Sequence, residues 1–423
     1  MLRTLGEGRI AGGVSMNTQA PEKGWLHLRL GKAWGNVLLS VLVVPIGVVS
    51  AWFLQAPSAA SLAEDAARGA DTAALLELVH RASYQKEASE RLRTLISHDP
   101  EALNALASLA MGHEAALSYF IVVARTQPEV LVSLERLEMS YAFALGILRH
   151  MNPAGISTVE KYAATCANAS FMLGVAYENG CHVSRDWGKA ATWYGKAVES
   201  HYAMAEFYYK AAAYQAGLES AAPEVAVKWY RVAAERGHAA AQCALGVCYA
   251  SGHGVAADLQ EAVRWYRLAA AQERSDAQYN LGWCYLHGEG VEVNAAEAVR
   301  WFIKAAEQGD DLAQYYVGRA YELGEGLEQD FAAAVQWYSW SVEHGNPSAQ
   351  CALGHCYAQG RGVPQDWHKA VYWYKLSAGQ GRSEAQLALA HCYESGLGVP
   401  CDVSAAEHWR RSAAESEFLS KPN

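Results

Sequence analysis

Along the carboxy-terminal 60% of the chain, small and apolar residues recur at helix-face spacing in short runs broken by glycine and polar loops. In one run Ala241, Leu245 and Tyr249 share a face, and Gly246 beside them permits close helix packing. Gly252 follows the last turn, where a left-handed residue ends a helix at least cost. Asp258, with Glu261 three residues on, has the form of a capping box opening a second helix. That helix gathers Ala262, Trp265, Tyr266, Ala269 and Ala270 on one face. The pattern predicts a helical hairpin.

The hairpin is copied. Trp193, Trp229, Trp265, Trp301, Trp337, Trp373 and Trp409 follow one another at intervals of 36 residues with no insertion. Leu173-Gly174, Leu245-Gly246, Leu281-Gly282 and Leu353-Gly354 keep the register, with Val317-Gly318 between. So do the paired loop glycines from Gly252/Gly254 to Gly396/Gly398. Asn294 with Glu297 repeats the capping device, and Asp186, Asp330, Asp366 and Asp402 hold the same place. Gly237, Gly309, Gly345 and Gly381 end the second helices. One hairpin cannot bury its apolar face alone, so neighbours must stack into an all-α solenoid, a superhelix of helix-turn-helix units. The tryptophans are expected to pack between helices.

The pattern A-x-x-x-L-G-x-x-Y-x-x-G-x-G-V, then D-x-x-x-A-x-x-W-Y-x-x-A-A-x-x-G, resembles the Sel1-like repeat, a relative of the tetratricopeptide repeat. The resemblance covers residues 169–420 as seven units. The unit from Ala205 departs from it, with Tyr209-Lys210 where Leu-Gly is expected and no Gly-x-Gly loop. The last unit has Arg410 after Trp409 and a polar run to Glu417, which suits a terminal cap.

Upstream, residues 61–152 read as an amino-terminal helical domain of degenerate repeats. Helices are expected over Ala63–His80, Ser83–Ser97, Glu101–Met111, Glu114–Thr126 and Glu129–His150, with the boundary at Asn152-Pro153-Ala154-Gly155. Residues 37–54, VLLSVLVVPIGVVSAWFL, form a single uncharged hydrophobic helix. Lys23, Arg29 and Lys32 precede it in residues 1–36, and Glu64 and Asp65 follow it. That asymmetry predicts exported repeats, either anchored in the membrane or released by signal cleavage near Ser58-Ala59-Ala60. A buried core helix in a cytoplasmic regulatory adaptor is the third reading.

A net charge of −10 argues against nucleic acid as a main partner. Cys248, Cys284, Cys356 and Cys392 share one repeat position, and Cys243 and Cys351 another. Stacked helices lie about 10 Å apart, too far for a bridge, so these read as small apolar residues. Cys166, Cys181 and Cys401 fall outside the register and could pair. No cysteine or histidine group has zinc spacing, and no nucleophile-base motif stands out, so neither cofactor, metal nor catalysis is expected. His355 and His391 share one position and read as solvated.

By analogy with the tetratricopeptide architecture, the first helix of each pair lines the concave face. One row there is Val175, Val247, Trp283, Arg319, His355 and His391. A second is Phe171, Cys243, Tyr279, Tyr315, Cys351 and Leu387, and a third includes Glu178, Glu322 and Glu394. Aromatic anchors with an arginine are typical of interfaces, although the same residues could pack against the adjacent helix. Candidate partner-binding residues are Phe171, Glu178, Tyr279, Trp283, Tyr315, Arg319, Glu322, His355, His391 and Glu394. The resemblance implies a scaffold for other proteins or peptides. An exported cell-wall or β-lactam hydrolase, proposed for some similar proteins, is the rival.

Overall fold

The computed structural model describes residues 58–420 except 68–71, 83–84, 112, 127–139 and 152. Among the described residues there are 21 helices and no strand. The apolar segment 37–54 lies outside the described residues, and no helix among those described is long and apolar enough to cross a membrane. The chain forms two compact units, one up to Ala216 and one from Gly217.

The first unit holds α1 (Ala59–Ala67), α2 (Thr72–Ala82), α3 (Lys86–His98), α4 (Pro100–Ala110), α5 (Glu114–Thr126), α6 (Tyr141–His150), α7 (Pro153–Tyr162), α8 (Ala167–Asn179), α9 (Trp187–Glu199) and most of α10 (Ala205–Glu219). The expected helix 63–80 is thus two helices. Of the expected helix 129–150, the part from Tyr141 is helical, and residues 129–139 lie outside the described set. Leu75, Leu78, Leu92, Leu106 and Phe120 are fully buried in this unit. Its carboxy-terminal part is held by aromatic rings: Phe171 lies against Tyr194, Tyr202 and Tyr208, and Tyr141 stacks on Tyr208 at 4.7 Å.

The second unit continues with α11 (Pro223–Glu235), α12 (Ala239–Ser251), α13 (Leu259–Ala270), α14 (Ser275–His287), α15 (Ala295–Glu307), α16 (Asp311–Leu323), α17 (Phe331–Glu343), α18 (Pro347–Gln359), α19 (Trp367–Gly379), α20 (Ser383–Ser395) and α21 (Val403–Ser420). The N-caps form: the Asp258 carboxylate accepts from the Gln260 and Glu261 amides at 3.0 Å, and Asp330 and Asp366 do the same on α17 and α19. The return half of the expected capping box does not, because the Asp258 and Asn294 amides donate to the Tyr249 and Tyr285 carbonyls while Glu261 and Glu297 pair with Arg264 and Arg300. Each core joins one hairpin to the next. Trp301, Trp337, Trp373 and Trp409 pack against clusters built from the preceding hairpin or its second helix together with their own first helix. These four tryptophans are therefore structural, as their period implies.

A close contact within each hairpin belongs to the aromatic residue that follows the tryptophan in the units up to Trp373. A Cβ on Gly246, Gly282, Gly318 or Gly354 would lie 2.4–2.8 Å from the ring of Tyr266, Phe302, Tyr338 or Tyr374. In the irregular unit α10 runs to 15 residues, and Gly217 meets the Tyr230 ring in the same way. The docking glycine is thus displaced along a longer helix rather than lost.

A polar ladder joins the repeats as well. The side-chain amides of Gln242, Gln278, Gln314 and Gln386 donate to the carbonyls of Ala234, Ala270, Ala306 and Ala378, at the ends of the preceding second helices. These glutamines stand 36 residues apart or a multiple of it, a row the sequence reading did not single out. Burying them is tolerable because each side-chain amide donates to a helix-terminal carbonyl, which takes it as a second partner beside a backbone amide.

The helix-ending position has φ of +76° to +86° at Gly237, Gly309, Gly345 and Gly381, and φ of +61° at Glu273, which replaces the glycine. A Cβ at those four glycines meets nothing within 4 Å, so the cost at Glu273 is backbone strain alone. Glu273→Gly is expected to raise stability by about 1 kcal/mol, the usual left-handed penalty, read as a higher urea midpoint. A lower midpoint would show that the Glu273 side chain contributes more than its backbone costs.

Candidate functional site

The pocket sits where the first helices of three successive hairpins, α16, α18 and α20, come together, all within the second unit. Its volume is about 330 Å³. Tyr315, Arg319 and Glu322 come from α16, Tyr338 from α17, and Cys351 and His355 from α18. Arg361 in the following loop and Arg382 with Glu384 at the start of α20 complete it. Positions three and four apart on one helix face the same way, which brings Tyr315, Arg319 and Glu322 to one wall and Cys351 and His355 to the next.

Charge is unevenly committed. Arg361 approaches Glu322 at 3.7 Å, and Arg382 holds Glu384 at 2.9 Å while donating to the Ser348 hydroxyl at 2.8 Å. Among the described residues, Arg319 has no carboxylate within ion-pair distance and is exposed. His355 is half-buried rather than solvated. Its Nε2 lies 3.6 Å from the Cys351 sulfur and 3.5 Å from a Glu384 oxygen, and its Nδ1 lies 2.9 Å from the Tyr374 hydroxyl. Its hydrogen bonds to Cys351 and Glu384 raise its pKa to about 9. The His355 bond, with the Arg382 charge, lowers the Glu384 pKa to about 2. In neutral solution the pocket therefore carries more positive than negative charge, within a protein of net charge −10.

The ten sequence-derived candidates separate into three groups. Tyr315, Arg319, Glu322 and His355 line the pocket together. Phe171, Tyr279 and Trp283 are buried in the cores, with 0%, 4% and 9% exposure. Trp283 meets the Tyr316 ring edge-on at 5.6 Å and Tyr279 lies against Phe302, so both rings are taken up by adjacent helices. Glu178, His391 and Glu394 lie outside the pocket. Glu178 accepts from the Tyr194 hydroxyl, Glu394 pairs with Arg410, and His391 contacts Ser395 at 3.4 Å. Among the pocket residues outside the ten candidates are Cys351, Tyr338, Arg361, Arg382 and Glu384. The last two open the first helix of a following repeat, and no local period marks them.

A covariation explains the glutamates. The third-row residue and the residue after the tryptophan lie 16 apart and match chemically: Glu178 with Tyr194, Leu286 with Phe302, Glu322 with Tyr338 and Glu394 with Arg410. Where a carboxylate is present a donor meets it, as the Tyr338 hydroxyl meets Glu322 at 2.6 Å. Ala358 offers no acceptor, and Tyr374 turns its hydroxyl to His355 instead.

The four cysteines that share one repeat position behave as the sequence implies, whereas Cys351 lines the pocket. Cys248, Cys284, Cys356 and Cys392 are buried, and burial pushes the thiols of Cys284 and Cys356 up to about 12. All nine cysteines are free in the structure, Cys166, Cys181 and Cys401 included.

Stacked helical hairpins, each joined to the next through its core, define a tandem-repeat solenoid with a pocket built across repeats. The chain belongs to the Sel1 repeat family, whose model matches residues 167–202, 198–238, 239–273, 275–310, 311–346, 347–381 and 383–417. Proteins of this family are generally protein-interaction scaffolds. Among solved structures, the chain is 34% identical, with a TM-score of 0.50, to c5321, a protective antigen of uropathogenic Escherichia coli. That match covers 63% of this chain and 56% of the antigen, so the chain spans little more than half of that relative. It is 29% identical, with a TM-score of 0.43, to a Sel1 repeat protein from Oxalobacter formigenes, over 70% of this chain and 96% of that one. Comparison with curated proteins gave no match.

Proposed function

We propose that this chain is a non-catalytic scaffold that holds a partner protein through the first-helix faces of its last three repeats, and that the pocket around Arg319 takes an acidic side chain or a chain-terminal carboxylate. The observation that carries the reading is a basic, tyrosine-walled pocket in an acidic protein. Its volume of about 330 Å³ suits one or two side chains rather than an extended substrate. Arg319 supplies an uncommitted guanidinium, and Tyr315 offers a flat ring beside it. Arg361 and Arg382 add positive potential while their own carboxylates keep them ordered.

Tyr315→Ala combined with Arg319→Glu is expected to reduce capture of native partners at least tenfold, with the helical signal unchanged. Capture by the wild-type chain is also expected to fall as salt rises, because the anchoring contact is ionic. Equal capture by both proteins refutes the assignment. The charge asymmetry around residues 37–54 favours repeats held at the cell envelope, exported through or cleaved from that segment. Fractionation with protease protection of a carboxy-terminally tagged chain tests this, and repeats fully digested only after cytoplasmic lysis would exclude export.

A further inference from the structure

We propose that Cys351, His355 and Glu384 form a site for one divalent transition-metal ion of the zinc class, with its fourth coordination position open to the pocket. Metal binding is a property of the chain alone and stands whether or not the partner reading holds.

Two of the three donor–donor edges have the length that a tetrahedral site requires. Bonds of about 2.3 Å to sulfur and about 2.0–2.1 Å to nitrogen or oxygen set donor–donor edges of about 3.4–3.6 Å. Cys351 Sγ and His355 Nε2 are 3.6 Å apart, and His355 Nε2 and Glu384 Oε1 are 3.5 Å apart. All three donor atoms lie within 4.8 Å of one another. Cys351 and His355 share a face of α18 at four-residue spacing, and Glu384 arrives from the first turn of α20. The site is therefore assembled only when two hairpins stack.

The groups behind the donors are those a metal site needs. The Tyr374 hydroxyl engages His355 at Nδ1, 2.9 Å away, which fixes the ring and leaves Nε2 for the ion. Arg382 grips the other Glu384 oxygen at 2.9 Å and is itself anchored on Ser348. A thiolate, an imidazole and a carboxylate select zinc or cobalt over magnesium or calcium, which take oxygen donors. The ion would be held by the thiolate of Cys351 and the neutral imidazole of His355, so protons on those donors leave to solvent as it binds.

The repeat at 239–273 shows the same frame without the site. Cys243, Arg274 and Asp276 occupy the places of Cys351, Arg382 and Glu384, but Val247 stands in place of His355. The constellation is thus a departure from the repeat and not part of its packing rule.

The test uses the full chain, reduced and free of oxygen, titrated with Co²⁺ and then Zn²⁺. One equivalent of Co²⁺ is expected to give thiolate-to-cobalt charge transfer and the strong visible bands of a four-coordinate ion, both removed by Zn²⁺. Cys351→Ser should abolish the charge transfer. Glu384→Gln, on an exposed residue that does not threaten folding, should weaken binding at least tenfold, and Tyr374→Phe by about tenfold. Cys401→Ser should change nothing. Absence of the spectrum with excess Co²⁺, or a spectrum that survives Cys351→Ser or is unmoved by Glu384→Gln, overturns the site and leaves only adventitious binding.

Discussion

Replacing Tyr338 with alanine is expected to destabilise the second unit by about 3–5 kcal/mol, the range for removing a buried aromatic ring. Tyr338 is 1% exposed, and its ring fills the space that Gly318 leaves on α16. Nothing else can enter that space, because a side chain at position 318 would have to project from the same backbone. The loss should be local at first, since neighbouring hairpins hold one another and not the whole chain. Hydrogen exchange should therefore accelerate most in α16, α17 and α18. Uniform acceleration along the second unit would show that it unfolds as a single cooperative block. Tyr338→Phe keeps the ring and loses the bond to Glu322, so about 1–2 kcal/mol is expected. Adding Glu322→Leu should recover most of it, because Leu286 with Phe302 is the same pair elsewhere in the chain.

Gly362→Ala is expected to cost about 2–5 kcal/mol, from two independent sources. Its φ of +70° carries the left-handed penalty of about 1–2 kcal/mol for any residue with a Cβ. In addition, that Cβ would lie 2.1 Å from the Phe331 carbonyl oxygen, at the start of the preceding second helix, and backbone cannot move aside as a side chain can. Overpacking of this kind adds about 1–3 kcal/mol. Gly309→Ala separates the two sources, since position 309 shares the left-handed backbone and faces open space. A urea midpoint for Gly362→Ala no lower than that for Gly309→Ala would mean that the loop–helix contact contributes nothing. The chain's own exception fits. His182 stands at the equivalent loop position of the first repeat with φ of +60°, and its ring bonds to the Leu148 carbonyl at 3.0 Å. The family match begins at residue 167, only 15 residues before it.

What could be read from the chain alone was whatever contiguous residues decide. The capping aspartates, the left-handed glycines after the first helices and the tryptophan period are local or strictly repeated, and each took its expected role. The need to stack followed from the size of one hairpin. The irregular unit shows the limit: its docking glycine was sought at Lys210, yet Gly217 fills that role because α10 is longer.

The candidate pocket was half legible. Tyr315, Arg319, Glu322 and His355 stood out as variable positions on a repeated face, but Phe171, Tyr279 and Trp283 obeyed the same rule and are buried. Period tells which face of a helix a residue occupies, not whether the next hairpin covers it. Cys351 and His355 sit one helical turn apart, and Glu384 follows 29 residues after His355. The sequence by itself determined the hairpins, their order and the necessity of their association, because these arise from spacing within one segment. Only the tertiary structure decided which side chains meet between hairpins, because the offset and rotation of one repeat on the next are set by the shapes of all the residues packed between them.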